Sequence, residues 1–226
     1  MWKRPLLPAI AIALLVVGSA QAHFVWSERD GEGPARAYFG EWADDLREKT
    51  GRALDRIKSP QAFLTSPQQL LTIERRDDQL EIAINGSGDV RLIESGLPPR
   101  DDARAGGKSR TVFYAKVGRS ETAGKLGLEL VPVATDGTTF VLMFRGTPPP
   151  KTSVTVYGPP KWEKPLRTND QGQITVPTPW SGRYVLEVAY VDEKSGEIDG
   201  VKFDWTRHVS NLSFVQPDGV PWSASR

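Results

Sequence analysis

Ser153-Val154-Thr155-Val156-Tyr157-Gly158-Pro159-Pro160 is a short β-branched run that stops on a glycine and two prolines. Alternating β-branched residues suit a pleated strand, and Gly-Pro-Pro can continue neither strand nor helix. The same rhythm extends in both directions. Thr139 to Arg145 precedes Pro148-Pro149-Pro150, and Asn169-Asp170-Gln171-Gly172 leads into Gln173 to Val176. Tyr184 to Val191, Ser195-Gly196, Val201 to Trp205 and His208 to Val215 complete the series. About six short strands with regular turn signals predict an immunoglobulin-like β-sandwich over 135–215 rather than a parallel α/β sheet. A loose tail follows over 216–226.

Upstream, the pattern predicts a second β-rich domain over 23–134, with the boundary around Ala134 to Gly137. Phe24 to Glu28 and Ala35 to Glu41 read as two strands joined by the turn-forming Arg29-Asp30-Gly31-Glu32-Gly33-Pro34. Trp42, Leu46, Ala53, Leu54 and Ile57 then recur at helical spacing, with Asp44 and Asp45 at the start and Arg56 and Lys58 near the end. This predicts one short helix stopped by Ser59-Pro60, with Gly51 as its weak point. Leu70 to Arg75, Leu80 to Asn85 and Val90 to Glu94 read as a meander, and Leu97 to Lys108 as an exposed loop. Thr111 to Val117 is a strong strand, and Leu126 to Val133 alternates again. The fold class expected is therefore mainly β, in two sandwich-like domains.

Lys3 and Arg4, the apolar run Ala9 to Val17 and the small Ala20 and Ala22 have the layout of an export leader over 1–22. The apolar run is shorter than the roughly 20 residues of a spanning helix, and no later stretch is long enough. The expectation is a periplasmic or otherwise exported protein with no membrane span once the leader is cut. Its 29 basic and 28 acidic side chains are mixed in sign, which argues against nucleic acid as a partner. There is no cysteine. That excludes disulfides, thiolate metal sites and cysteine nucleophiles, and leaves nitrogen and oxygen as the strong ligands.

Cleavage after Ala22 makes His23 the first residue, in a chain with only 2 histidines. An N-terminal histidine offers a metal its α-amine and its ring Nδ1 together. The second histidine, His208, can complete a three-nitrogen set. Glu41 lies on the strand expected beside His23 and is the candidate oxygen donor or ring partner. Asp204, four residues before His208, lies about 13 Å away along a straight strand, too far for a direct partner. Ser210 is nearer, and Arg207 points to the other face. Both amine and imidazole lose a proton readily near neutral pH. Such a set suits Cu(II), which binds most tightly among first-row divalent ions, whereas zinc prefers a tetrahedron.

Several segments together resemble an exported bacterial family, domain of unknown function 4198. They are Ala22-His23-Phe24-Val25-Trp26, Tyr38-Phe39-Gly40-Glu41, Arg110 to Lys116, Leu128-Glu129-Leu130-Val131-Pro132, Thr168 to Gly172 and Arg207-His208. The resemblance spans nearly the whole exported chain. It implies association with nickel or cobalt uptake in some members, and a C-terminal half similar to the carboxypeptidase-regulatory type of β-sandwich. His23 and His208 stand at the family's histidine positions. Glu41 replaces the histidine that nickel-associated relatives often carry after Phe-Gly, which weakens nickel. The N-terminal histidine alone also resembles the histidine brace of copper oxygenases and periplasmic copper carriers.

The leading expectation is a non-catalytic metal-binding protein for copper, with nickel or cobalt as alternatives. It would hold the ion through His23, His208 and Glu41, and work with a membrane metal transporter or another periplasmic carrier. A structural or carbohydrate-contacting sandwich without metal is the first alternative, given 7 tryptophans. A copper oxygenase acting on polysaccharide is the second. No G-x-S-x-G, H-E-x-x-H or Walker loop supports an ordinary hydrolase or nucleotide enzyme. Asn85-Gly86-Ser87 and Asn211-Leu212-Ser213 read as structural.

Overall fold

The computed structural model describes residues 23–102 and 106–222. The leader read over 1–22, positions 103–105 of the expected loop and residues 223–226 of the tail lie outside the described residues. In chain order, β1 (Phe24–Arg29) and β2 (Ala35–Glu41) form a hairpin and β3 (Leu46–Arg47) turns back on β2. Then come β4 (Pro60–Phe63), β5 (Ile73–Arg75), β6 (Leu80–Ile82), β7 (Val90–Glu94), the short β8 (Arg100–Asp102) and the long β9 (Gly107–Val117). Strands β10 (Leu128–Pro132), β11 (Thr139–Phe144), β12 (Ser153–Gly158), β13 (Trp162–Arg167) and β14 (Gln173–Thr175) follow. The last four are β15 (Gly182–Asp192), β16 (Gly196–Ile198), β17 (Val201–Phe203) and β18 (Trp205–Gln216).

All but β16 and β17, which pair with each other as a separate two-stranded sheet, make three layers. The middle one is an eight-stranded sheet in the order β13-β12-β15-β18-β9-β7-β4, with β8 beside β9. Its inner neighbours β18 and β9 run parallel, and its other pairs are antiparallel. A five-stranded sheet, β1-β2-β6-β5 with β3 beside β2, covers one face, and the three-stranded β10-β11-β14 covers the other. Alternation along the central strands divides the two cores. Phe113, Ala115 and Val209 point into the first, with Val25, Trp26 and Phe39 of the outer sheet. Val112, Tyr114, Leu212 and Phe214 point into the second, with Leu128, Leu130, Phe140 and Leu142. Burying each such side chain is worth about 1.5–3 kcal/mol, and 40 or so do it, enough to dispense with disulfides.

Mainly β and built of packed sheets, the fold is of the expected class. Two expectations are corrected in detail. The central sheet takes β9, β7, β4 and β8 from before Ala134 and β12, β13, β15 and β18 from after it, so the expected boundary does not divide the sheets. The expected helix is reduced to a single 3-10 turn, Ala53–Arg56. Gly51 takes φ 80°, Glu48 N–H donates to Phe39 O at 2.8 Å, and Thr50 N–H donates to Asp77 O at 2.7 Å. Those donors serve the sheet edge instead of an i→i−4 ladder, and Leu46 stays 39% exposed. No helix among the described residues is long and apolar enough to cross a membrane.

One polar group interrupts the second core. Arg91 on β7 and Lys116 on β9 are cross-strand partners, and both are buried. Arg91 Nε lies 3.1 Å from Glu129 Oε1, while Lys116 Nζ lies 3.0 Å from Asp89 Oδ2 and 3.3 Å from Glu129 Oε1. The backbone N–H groups of Lys125 and Leu126 donate to Glu129 Oε2 at 2.6 and 2.7 Å. With Arg91 Nη1 also 3.2 Å from Glu121 Oε2, two buried cations meet three carboxylates, and Lys116 Nζ is held by charge, with no hydrogen-bond partner among the described residues.

Candidate functional site

The β1–β2 register pairs Phe24 with Gly40, which sets His23 opposite Glu41 one step further on. Gly40 then lets the chain reverse tightly. Its φ is 153°, and a Cβ there would stand 2.0 Å from Leu46 O, so only glycine fits. The reversal pairs Gly40 with Arg47 and carries Glu48 back alongside β2. His23 therefore sits between two glutamates. Its Nδ1 is 3.1 Å from Glu41 Oε1, and its Nε2 is 2.6 Å from Glu48 Oε1. The ring also packs on Phe39 at 5.3 Å, and Phe39 meets Phe113 edge-on at 5.7 Å. The three side chains are 28%, 14% and 18% exposed, so the cluster is partly open to solvent.

Glu41 also influences a second polar pair. Tyr157 donates to Glu187 Oε2 at 3.1 Å, and Phe24 stacks on the Tyr157 ring at 6.4 Å. Burial pushes the Tyr157 phenol well above its ordinary range, and the negative charges of Glu187, Glu163 and Glu41 add to the effect. Burial likewise raises the Glu187 carboxyl, against the opposing pull of Tyr157 and Arg207. Neither residue stands out in the sequence.

His208 is not part of this cluster. Neighbouring residues on a strand face opposite ways, and Val209 and Phe113 face the His23 side. His208 and Tyr114 face the other. The central sheet thus separates the two histidines, and the expected shared site is corrected on that ground. His208 is 3% exposed, stacked on Tyr114 and edge-on to Phe144, with Nδ1 3.0 Å from the Tyr114 hydroxyl. Nε2 has no hydrogen-bond partner among the described residues. Burial, reinforced by Arg145, pushes its pKa down to about 4, so the ring is neutral at ordinary pH.

A scan against protein-family models and a search of curated proteins find no match. The remaining sequence candidates fall elsewhere. Asp204 accepts from Lys108 N–H at 2.8 Å, and Ser210 is buried. Asp45 takes a left-handed φ of 53° beside Arg47 instead of opening a helix. Among the described residues no three His, Cys, Asp or Glu side chains converge as a metal set. Glu48 is the residue that sequence reasoning missed here, because its approach depends on the reversal at Gly40.

Proposed function

We propose that the protein is an exported, non-catalytic carrier or buffer of a divalent metal, copper foremost, with nickel or cobalt as alternatives. His23 would bind through its α-amine and Nδ1, and Glu41 would supply an oxygen. Glu48 would hold the ring through Nε2, as a carboxylate commonly orients a ligating imidazole. The observation that supports this most is the His23 ring with one carboxylate at each nitrogen, 3.1 and 2.6 Å away. Ligands about 2.0–2.2 Å from one metal stand about 3 Å apart, so the Nδ1 and Glu41 spacing fits a pair sharing an ion. The bound ion would supply cargo, not a reaction step. A set of two nitrogens and an oxygen follows the usual divalent order, which peaks at copper.

Export and a part in metal uptake rest on the leader and on the resemblance to the exported family. That resemblance also carries the immunoglobulin-like reading of the C-terminal strands and a transporter or second carrier as partner. The test uses protein exported through its own leader. Native mass spectrometry should give a chain beginning at His23 that takes one equivalent of Cu(II). His23→Ala and a single residue added before His23 should each weaken binding at least about tenfold, and Glu48→Gln by about 10–100-fold. His208→Asn should bind as the parent does. Unchanged affinity in the extended chain would remove the α-amine from the site, and no stoichiometric uptake would leave a metal-free sandwich.

A further inference from the structure

Near Phe39, the ring on which His23 packs, lies a second recess. Leu97, Pro98 and Pro99 form its apolar part, Thr111 adds a hydroxyl, and Arg56, Lys58 and Arg100 stand around it, enclosing about 200 Å³. Arg56 reaches over Phe39, with Cζ 5.9 Å from the ring centroid. Three cations thus share one small pocket. Several arginines of this protein have a carboxylate beside them, as Arg36 has Asp30, Arg76 has Glu81 and Arg183 has Glu28. At this recess none is compensated in that way: among the described residues no carboxylate lies within ion-pair distance of Arg56, Lys58 or Arg100.

We infer that this pocket binds a small organic carboxylate with a short hydrocarbon body. Like charges gathered at a recess with low-dielectric walls focus the field and concentrate an anion there. Guanidinium groups pair with a carboxylate through two parallel N–H···O bonds, and two of the three cations are arginines. The Leu97-Pro98-Pro99 wall offers nothing to a bare inorganic anion, but it does shelter methylene groups from water. Size sets the limit. Sites for drug-sized ligands run to about 300–1,000 Å³, so this one suits an acid of a few carbons. The two prolines hold the wall without spending ordering entropy when the ligand arrives.

None of His23, Glu41 or Glu48 is used, so this inference and the metal reading fail separately. The test is calorimetric titration of the purified chain at constant ionic strength with four probes: butyrate, glutarate, inorganic phosphate and 1-butanol. Butyrate or glutarate should bind saturably, at least tenfold more tightly than phosphate, and butanol should not bind. The doubly substituted Arg56→Gln/Arg100→Gln chain should bind the same acid at least tenfold more weakly. Both side chains are exposed, so its melting temperature should match the parent and its copper titration should be unchanged. Phosphate binding as tightly as the carboxylates would overturn the assignment to an organic acid. Absence of saturable binding by any probe, or equal affinity in the double variant, would overturn the site itself.

Discussion

Acidification from pH 7 to pH 4 is expected to cost the fold about 3 kcal/mol through His208 alone. The ring is a base whose pKa falls from the ordinary 6.5 to about 4 in the folded protein, mainly through burial. Between those values the unfolded chain takes up the proton and the folded chain does not. Stability from this group is therefore complete above pH 6.5, declines as pH falls toward 4, and declines no further below it. Protonation in place would put a charge between Tyr114 and Phe144 with Nε2 unpartnered. Tyr114 cannot relieve it by ionising, since burial pushes its phenol up to about 12. Urea unfolding at pH 7, 5.5 and 4.5 should show His208→Asn losing this slope, while its amide oxygen can still accept from Tyr114. Parallel pH profiles for parent and variant would refute a buried, neutral His208.

Lys116→Met should cost about 3–5 kcal/mol at neutral pH, because it strands buried carboxylates without their cation. Lys116 is 1% exposed and lies between Asp89 and Glu129. Burial alone would raise the Asp89 carboxyl. The Lys116 charge and hydrogen bonds from Ser120 and Glu121 outweigh it and hold the pKa below the ordinary value. That part of the stability is whole above the ordinary carboxylate range and is lost only as pH falls through the folded pKa, so pH 7 shows all of it. The paired variant Lys116→Met/Asp89→Asn should recover part of the loss, and the shortfall from additivity measures the coupling. A single-variant loss under about 1 kcal/mol would mean that water reaches the network and screens it.

Strands with strong alternation and clear turns were legible from sequence. Ala35–Glu41 and Val90–Glu94 fall at the expected residues. Trp162–Arg167 was missed because it is an exposed edge strand carrying Pro165 and three charges, with little apolar pattern to show. The helix over Trp42 to Ile57 was misread because helical spacing of apolar residues says nothing about where the backbone donors go. Here they bond to Phe39 and Asp77. At the candidate site, His23 beside Glu41 follows from hairpin register and was accessible. The separation of His208 was not, because period-two alternation orders residues along a strand without saying which sheet covers which face.

The placing of β18 has a consequence for how the chain can fold. This 12-residue strand lies between β15 and β9 and contributes Val209 to one core and Leu212 and Phe214 to the other. Its partner β9 ends near the middle of the sequence, with Ser109 matched to Trp205. Any chain delivered amino end first, from a ribosome or through a narrow pore, therefore waits with β9 as an open edge until almost its last residues arrive. Closing that gap joins residues far apart in sequence, and the same strand brings Ser213 to Ser27, 186 positions away, which makes folding slow and late. An unfinished chain remains extended and threadable, while its waiting edge stays exposed to other strands.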